Sequence, residues 1–132
     1  MLGLKDAESE EHGRPSTNFV VTAASCGLRG RLKVVIEDES IASGIFHERE
    51  IIEEYCCNYE SSRAYQQRFQ DAGLQISGWD EGGEARIVEI PEHPFFVATQ
   101  FMPQLSSTAG RPHPFIVAYL RAVAAHGAQQ AI

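Results

Sequence analysis

The side chains most able to do chemistry in this sequence are five histidines, three cysteines and a run of glutamates. The histidines are His12, His47, His93, His113 and His126. None has the His-x-x-x-His or Glu-x-x-His spacing of a metal-binding helix, and both His93 and His113 directly precede a proline. We therefore expect no metal site, and we interpret His93 and His113 as turn histidines bonded to the backbone.

The cysteines do not form a recognisable metal or disulfide pattern. Cys26 lies in a turn-like stretch, but a nucleophile elbow needs a second glycine where this chain has Leu28, so a small buried side chain is predicted. Cys56 and Cys57 are adjacent, and neighbours on a strand point to opposite faces. One of these two thiols is therefore expected to face a cleft. Reduced thiols are the simplest interpretation of an odd cysteine count without Cys-x-x-Cys spacing.

The glutamates at positions 48, 50, 53 and 54 are interrupted by Arg49 and by the apolar pair Ile51–Ile52. Paired carboxylates could act as general acid and base, but mixed charges of this kind are typical of a solvated face.

The elements that would position these residues can be predicted from hydrophobic periodicity and turn residues. Short strands are expected at 19–21 and 32–36, joined by a glycine turn, and a further strand at 50–59. A hairpin is expected around the turn at 80–83, with a helix before it at 62–72, capped by Ser62 and stopped by Gly73. Residues 6–16 are predicted to be a mobile loop, and residues 40–46 fit no single element.

Two apolar segments follow towards the end of the chain. Residues 95–101 predict a strand covered on both faces, and a helix from Pro112 or Pro114 to Gly127 predicts burial around most of its circumference. A doubly covered sheet needs more helices than these, so part of a larger fold is expected to be missing.

Composition narrows the class of function. The chain has 132 residues, enough for about one domain, and 11 Lys+Arg against 18 Asp+Glu give a net charge of -7. Nucleic-acid binding is disfavoured because it needs clustered basic residues. No apolar run is long enough to cross a membrane, and the first residues do not resemble a secretion signal, so a cytoplasmic protein is expected.

Residues 88–105, followed by Arg-Pro-His-Pro-Phe at 111–115, resemble the end of the class I glutamine amidotransferase domain of CTP synthase. In that family the strand ends in Phe-His-Pro-Glu-Phe, whose His and Glu complete a Cys-His-Glu triad. Residues 53–60 correspond to the family's Glu-Arg-His-Arg-His-Arg-Tyr-Glu, which helps to hold glutamine. The resemblance implies an α/β fold of the class I glutamine amidotransferase type, with a flavodoxin-like sheet.

From Leu2 to the last helix, the chain also resembles short bacterial proteins described as CTP synthase C-terminal region-related (seleno)proteins. In those proteins Leu-Gly-Leu-Lys-Asp-Ala directly follows the Gly-x-Cys-x-Gly nucleophile turn and its helix. The resemblance implies the C-terminal half only of the fold, with a partial amidotransferase-like domain at 18–132. The polar composition of the preceding residues predicts a mobile N-terminal segment at 1–17.

The departures from this pattern decide the expected chemistry. Met102 stands where the family has its general base, and Gln104 stands where it has the orienting carboxylate. Asn58 replaces the arginine expected to meet the substrate carboxylate. The resemblance therefore implies that no catalytic residue remains and that the chain alone has no glutaminase activity.

The first hypothesis is a non-catalytic module that binds a partner or a small molecule, without cofactor or metal. Its exposed sheet would be covered by self-association or by a partner. The pocket would be lined by Cys57, Asn58, Tyr59, Phe101, Met102 and Gln104.

Two alternatives remain open. One is thiol-based redox or other chemistry, with Cys57 reactive and Cys56 resolving. The other is a glutaminase-type subunit completed by a separate half that carries the nucleophile.

Overall fold

The computed structural model describes residues 3–130, apart from the side chains of residues 25, 26, 129 and 130. The predicted burial of Cys26 therefore lies outside the described residues. The strands in the described part are β1 (Ala7–Ser9), β2 (Asn18–Ile36), β3 (Glu50–Ser61), β4 (Gln75–Trp79), β5 (Ala85–Glu89) and β6 (Val97–Thr99). The helices there are α1 (Ile41–Phe46), α2 (Gln66–Asp71), α3 (Pro103–Ser106) and α4 (Pro114–Gln130), with 3-10 turns at Glu10–His12 and Arg63–Tyr65.

The long strand β2 organises the sheet. It pairs antiparallel with β3 and β4 and parallel with β1, and β5 and β6 continue the sheet beyond β4. After β6 the chain returns to β3: the Gln100 N–H donates to the Arg86 carbonyl at 2.9 Å, and the Met102 N–H donates to the Glu54 carbonyl at 2.9 Å. The sheet therefore curls, since β5 and β3 are joined through residues 100–102 as well as through β4 and β2.

The core fills the inside of this curl. Val34 and Ile87 have no exposed surface, and Tyr55 and Phe101 are each 2% exposed. The Phe101 ring meets the Tyr55 ring edge-on at 6.0 Å and the Phe46 ring of α1 at 6.1 Å, which are favourable aromatic geometries. This packing attaches α1 to the inner face of the sheet.

A buried ion cluster connects three parts of the same sheet. The guanidinium of Arg86, on β5, lies 2.8 Å from a Glu60 oxygen of β3 and 2.6 Å from an Asp80 oxygen of the β4–β5 turn. The Arg86 side chain is only 3% exposed. Asp80 also accepts backbone N–H groups of Gly82 and Glu84, so one carboxylate orders the turn and pairs the arginine.

The cluster makes stability dependent on pH in a defined direction. Burial favours the neutral form of Asp80, but hydrogen bonds from the Glu84 N–H and the Arg86 side chain outweigh it and lower the pKa of Asp80. Because the pKa of Asp80 is lower in the folded chain than its ordinary value of 3.8, ionised Asp80 stabilises the fold at pH values above 3.8. This stabilisation is lost as the pH falls through the lowered pKa.

The N-terminal half departs from the sequence prediction at two points. The segments at 19–21 and 32–36 belong to one strand, not to two strands joined by a turn. Gly27 and Gly30 adopt positive φ angles of 63° and 79°, and the register with β3 shifts between Ala23 and Leu28. The stretch that contains Gly27 therefore forms a bulge rather than a reversal, and Gly30 pairs in register with Tyr55. The predicted loop at 6–16 contains β1 and the first 3-10 turn.

The helix predicted at 62–72 divides into a 3-10 turn and α2, and the Ser62 side chain makes no capping bond.

The unassigned stretch at 40–46 forms α1, which Ser40 caps through a reciprocal bond with Ser43. Glu89, which is 1% exposed, reinforces this cap because its carboxylate accepts the first two N–H groups of α1. The strand predicted at 50–59 and the hairpin around residue 80 are confirmed.

The expected burial of the last two apolar segments is wrong. Only Val97–Thr99 form a strand, and neither face is fully covered. Helix α4 continues through Gly127, and its Leu120 side chain is 59% exposed. Because α4 packs mainly against α1, its outer face stays open.

We expect Arg86→Gln to lower the free energy of unfolding by about 3 kcal/mol, because two partly buried carboxylates lose their cation. Urea denaturation followed by circular dichroism measures the change. The control is Arg63→Gln, since Arg63 pairs with Glu84 but its side chain is 66% exposed, and a loss below about 1 kcal/mol is expected there. Equal losses in the two variants would contradict the structural role of the buried cluster.

Candidate functional site

The predicted pocket residues come from two segments that the fold brings together. Cys57, Asn58 and Tyr59 lie near the end of β3, and Phe101, Met102 and Gln104 lie on the segment that returns from β6.

Gln100 joins the two segments. Its side-chain amide donates to the Tyr59 carbonyl at 3.0 Å, and its own carbonyl lies 3.5 Å from the Cys57 sulfur. The sequence resemblance therefore selected positions that are neighbours in the fold.

Within this group the side chains occupy different environments. The Phe101 ring lies in the core, whereas Gln104 is exposed on α3. Asn58 is exposed, and its side-chain oxygen accepts a hydrogen bond from Arg29 at 2.7 Å. Asn58 is therefore hydrogen-bonded to a cation on β2. A pocket lined by all six predicted residues stays a prediction.

The two thiols point to opposite sides of β3, as the sequence predicts. Cys56 is exposed, and its sulfur lies 3.5 Å from an Arg29 guanidinium nitrogen. Cys57 is half-buried and faces the Gln100 carbonyl. The thiol-chemistry alternative is untested by this arrangement and stays a prediction.

His113 forms a contact that the sequence analysis missed. Its Nε2 lies 3.0 Å from both carboxylate oxygens of Glu53, and both residues are buried. The Phe115 N–H donates to Nδ1 at 3.2 Å, so Nδ1 is an acceptor and the proton is on Nε2, which donates to Glu53. Both ring nitrogens are therefore occupied. The backbone bond expected for His113 is confirmed, but the carboxylate partner was not expected.

The strand pattern contained a usable signal for this pair. Glu53 lies between Ile51 and Tyr55 on the buried face of β3. A carboxylate on a buried face needs a hydrogen-bond or charge partner. The partner lies 60 residues away in sequence, so it could not be identified by spacing. His93 behaves as predicted, since its Nδ1 accepts the Phe95 N–H at 3.2 Å.

A cleft of about 450 Å³ opens beside the His113–Glu53 pair. Arg31 of β2 and Arg111 of the loop before α4 also line it. Among the side chains that the structure describes, no group of three or more from His, Cys, Asp or Glu is placed to hold a metal ion. In residues 3–130, no helix has the length and apolar character needed to span a bilayer.

Comparison with known proteins places this arrangement in a fold class. No protein-family model matches the sequence. The structure is similar to the Trypanosoma brucei CTPS glutaminase domain with bound acivicin, with a TM-score of 0.86 and 31% identity over 93% of this chain and 52% of that chain. A Thermoplasma acidophilum protein described as part of a GMP synthase has the same fold at a TM-score of 0.64 and 17% identity, over 85% of this chain and 52% of that chain.

The fold is therefore that of a class I glutamine amidotransferase, as predicted. In sequence, the chain is similar to CTP synthases of Methanopyrus kandleri (34% identity over 96% of this chain) and Pyrobaculum calidifontis (32% over 92%). The chain is homologous to the glutaminase domain of CTP synthase. It spans about a quarter of the length of these two relatives, 26% and 25%.

We expect His113→Phe to lower the free energy of unfolding by about 2 kcal/mol or more, because Glu53 is left buried without its donor. The matched control is His93→Phe, which removes an exposed ring that also accepts a backbone N–H, and a change below about 1 kcal/mol is expected. Urea denaturation compares the two variants. A similar loss in both would show that the Glu53 contact contributes little.

Proposed function

We propose that this chain is a non-catalytic module of the amidotransferase type, which binds another polypeptide instead of hydrolysing glutamine. The observation that carries the proposal is the pair of side chains at the return from β6. Met102 and Gln104 stand where the resemblance places a general base and its orienting carboxylate, and neither side chain can accept a proton near neutral pH.

The histidine beside this segment is not available as a replacement base. His113 lies close to this segment, with its ring 6.2 Å from that of Phe101, but both its nitrogens are engaged by Glu53 and Phe115. Using His113 as a base would require breaking the hydrogen bond that its Nδ1 accepts or the one that its Nε2 donates. This supports a binding role over an acid–base role.

We expect the purified chain to release no ammonia from L-glutamine above the uncatalysed rate. Loss of the nucleophile or the base alone lowers the turnover of a well-studied protease about 10⁶-fold. A loss of that size would leave no detectable ammonia release in this assay. A coupled glutamate dehydrogenase assay measures release, with an intact CTP synthase as the positive control. Ammonia release that disappears in Cys57→Ser or Cys56→Ser would overturn the non-catalytic assignment.

The binding surface that we propose is the outer face of α4. Tyr119, Leu120 and Val123 on this face are each more than half exposed. A cleft of about 650 Å³ is lined by residues of both α4 and α1. Single exposed apolar residues are ordinary, but a continuous apolar face on one helix favours a protein contact.

The occupant that we propose is a polypeptide carrying the remainder of an amidotransferase fold, including a Gly-x-Cys-x-Gly turn. This chain matches 52% of the solved glutaminase domain, so that domain contains nearly as much additional chain. Within α4 the titratable side chains of the described residues are only Tyr119, Arg121 and His126, so the surface suits an apolar partner rather than a charged one.

We expect Leu120→Glu to weaken capture of this partner at least about tenfold, because it places a charge in the apolar contact. The tagged chain is purified from its source cells, and bound proteins are identified by mass spectrometry. The matched control is Ile52→Glu, since Ile52 is equally exposed at 59% but lies on β3.

Two results would contradict the proposed occupant. One is a homodimer in sedimentation velocity that dissociates in Leu120→Glu, which would show that a second copy covers α4. The other is a monomer that retains no protein with the Gly-x-Cys-x-Gly turn.

A further inference from the structure

The cleft of about 650 Å³ that α1 and α4 line together, called here the α1–α4 cleft, differs in charge from the rest of the chain. The chain has 18 acidic residues, yet the sequences of α1 and α4 contain no aspartate or glutamate. Among the described residues, those lining this cleft include no carboxylate, whereas three other clefts each have at least one in their walls. The walls of the α1–α4 cleft therefore carry no negative side chain that would repel an anion.

The wall of the α1–α4 cleft is mostly hydrocarbon. Its volume falls within the range of small-molecule sites. Phe46 is 8% exposed and meets the Phe101 ring edge-on at 6.1 Å, so this part of the wall is fixed in the core. Ile41 and Ile45 of α1 and Val117 of α4 add aliphatic surface. The cleft is therefore suited to the apolar part of a ligand.

Two polar side chains also line this apolar wall. Arg121 of α4 makes no ion pair among the described residues. His47, at the end of α1, supplies a ring that donates at least one N–H in either of its tautomers. A mostly apolar pocket with a few polar groups is the usual composition of a small-molecule site.

The surroundings of Arg121 distinguish it from the other arginines that make no ion pair in the described residues. Arg29 donates to an amide oxygen, and the Arg68 guanidinium lies over a tyrosine ring. Arg31 and Arg111 line the cleft beside His113, whose wall also contains three glutamates. Arg121 alone among these five lines an apolar cleft without a carboxylate. The combination of one guanidinium with hydrocarbon walls, rather than the missing ion pair, points to a ligand.

We propose that the α1–α4 cleft binds a monocarboxylate with a hydrocarbon tail. The carboxylate pairs with the planar guanidinium of Arg121, which can donate two parallel hydrogen bonds to it. The tail lies against Ile41, Ile45 and Val117 and is removed from water there.

This inference does not rest on the partner proposed for the outer face of α4. Val117, Ala118 and Arg121 line the cleft and are three or four residues apart, so they share one face of the helix. Leu120 and Val123 lie on the opposite face. Either binding event can therefore be absent without the other.

Titration of the ¹⁵N-labelled full chain with octanoate and with phenylpropanoate, followed by nuclear magnetic resonance, tests the proposal. We expect at least one of the two probes to bind saturably, with shift changes at the backbone N–H groups of residues 41–47 and 115–121. For the tighter probe, the alcohol and the amine with the same tail are expected to bind about tenfold more weakly, because neither offers an anion to the guanidinium.

Arg121→Gln is expected to weaken binding of the tighter probe about tenfold and to leave binding of the matching alcohol unchanged. The matched control is Arg111→Gln, which removes the same charge from an exposed arginine just before α4 that lines the other cleft. This control should bind the probe as the unaltered chain does.

Four results would overturn the proposal. Neither probe saturates, or the shift changes lie outside the two helices. The alcohol or the amine binds as tightly as the carboxylate, which would identify an apolar groove without anion recognition. Arg121→Gln binds as well as the Arg111→Gln control. Acetate binds as tightly as the probes, which would identify a plain anion site.

Discussion

The buried guanidinium of Arg86 is the constraint on which the curvature of the sheet depends. A cation that is 3% exposed must be matched by anions in position, and it finds them on β3 and in the β4–β5 turn. These contacts fix the distance between β5 and β3, and residues 100–102 then bond to both strands. The enclosed core, including Tyr55 and Phe101, follows from this closure. Burial raises the pKa of Tyr55 above its usual range, and its hydroxyl has no partner among the described residues.

Local signals in the sequence were sufficient for part of this fold. The mixture of apolar residues and carboxylates along residues 50–59 predicted β3, and the Asp-Glu-Gly-Gly turn predicted the β4–β5 hairpin. The continuity of β2 was not predictable from local signals, because glycines with positive φ occur in both bulges and turns. The exposure of α4 was also misjudged: apolar residues around a helix predict that something covers it, but not that the cover lies in the described residues.

The candidate site, like the fold, was only partly predictable from the sequence. The resemblance to the amidotransferase family selected β3 residues 57–59 and the segment 101–104, and the fold places them side by side through Gln100. The contacts that complete the neighbourhood connect residues far apart in sequence. Arg29 reaches Asn58 across 29 positions, and His113 reaches Glu53 across 60. Such pairs depend on strand register and on the curl of the sheet, which spacing along one chain does not encode.

The bonds that hold the return segment explain why its side chains can vary without loss of the fold. The Met102 N–H donates to the Glu54 carbonyl, and the Gln100 N–H donates to the Arg86 carbonyl, so both links use main-chain atoms. Gln104 points into solvent, and Pro103 is buried at the first turn of α3. A main-chain hydrogen bond does not depend on which side chain the residue carries, whereas a proton transfer needs a side chain that can accept or donate a proton. At position 102 the bond to Glu54 therefore constrains the backbone rather than the side chain.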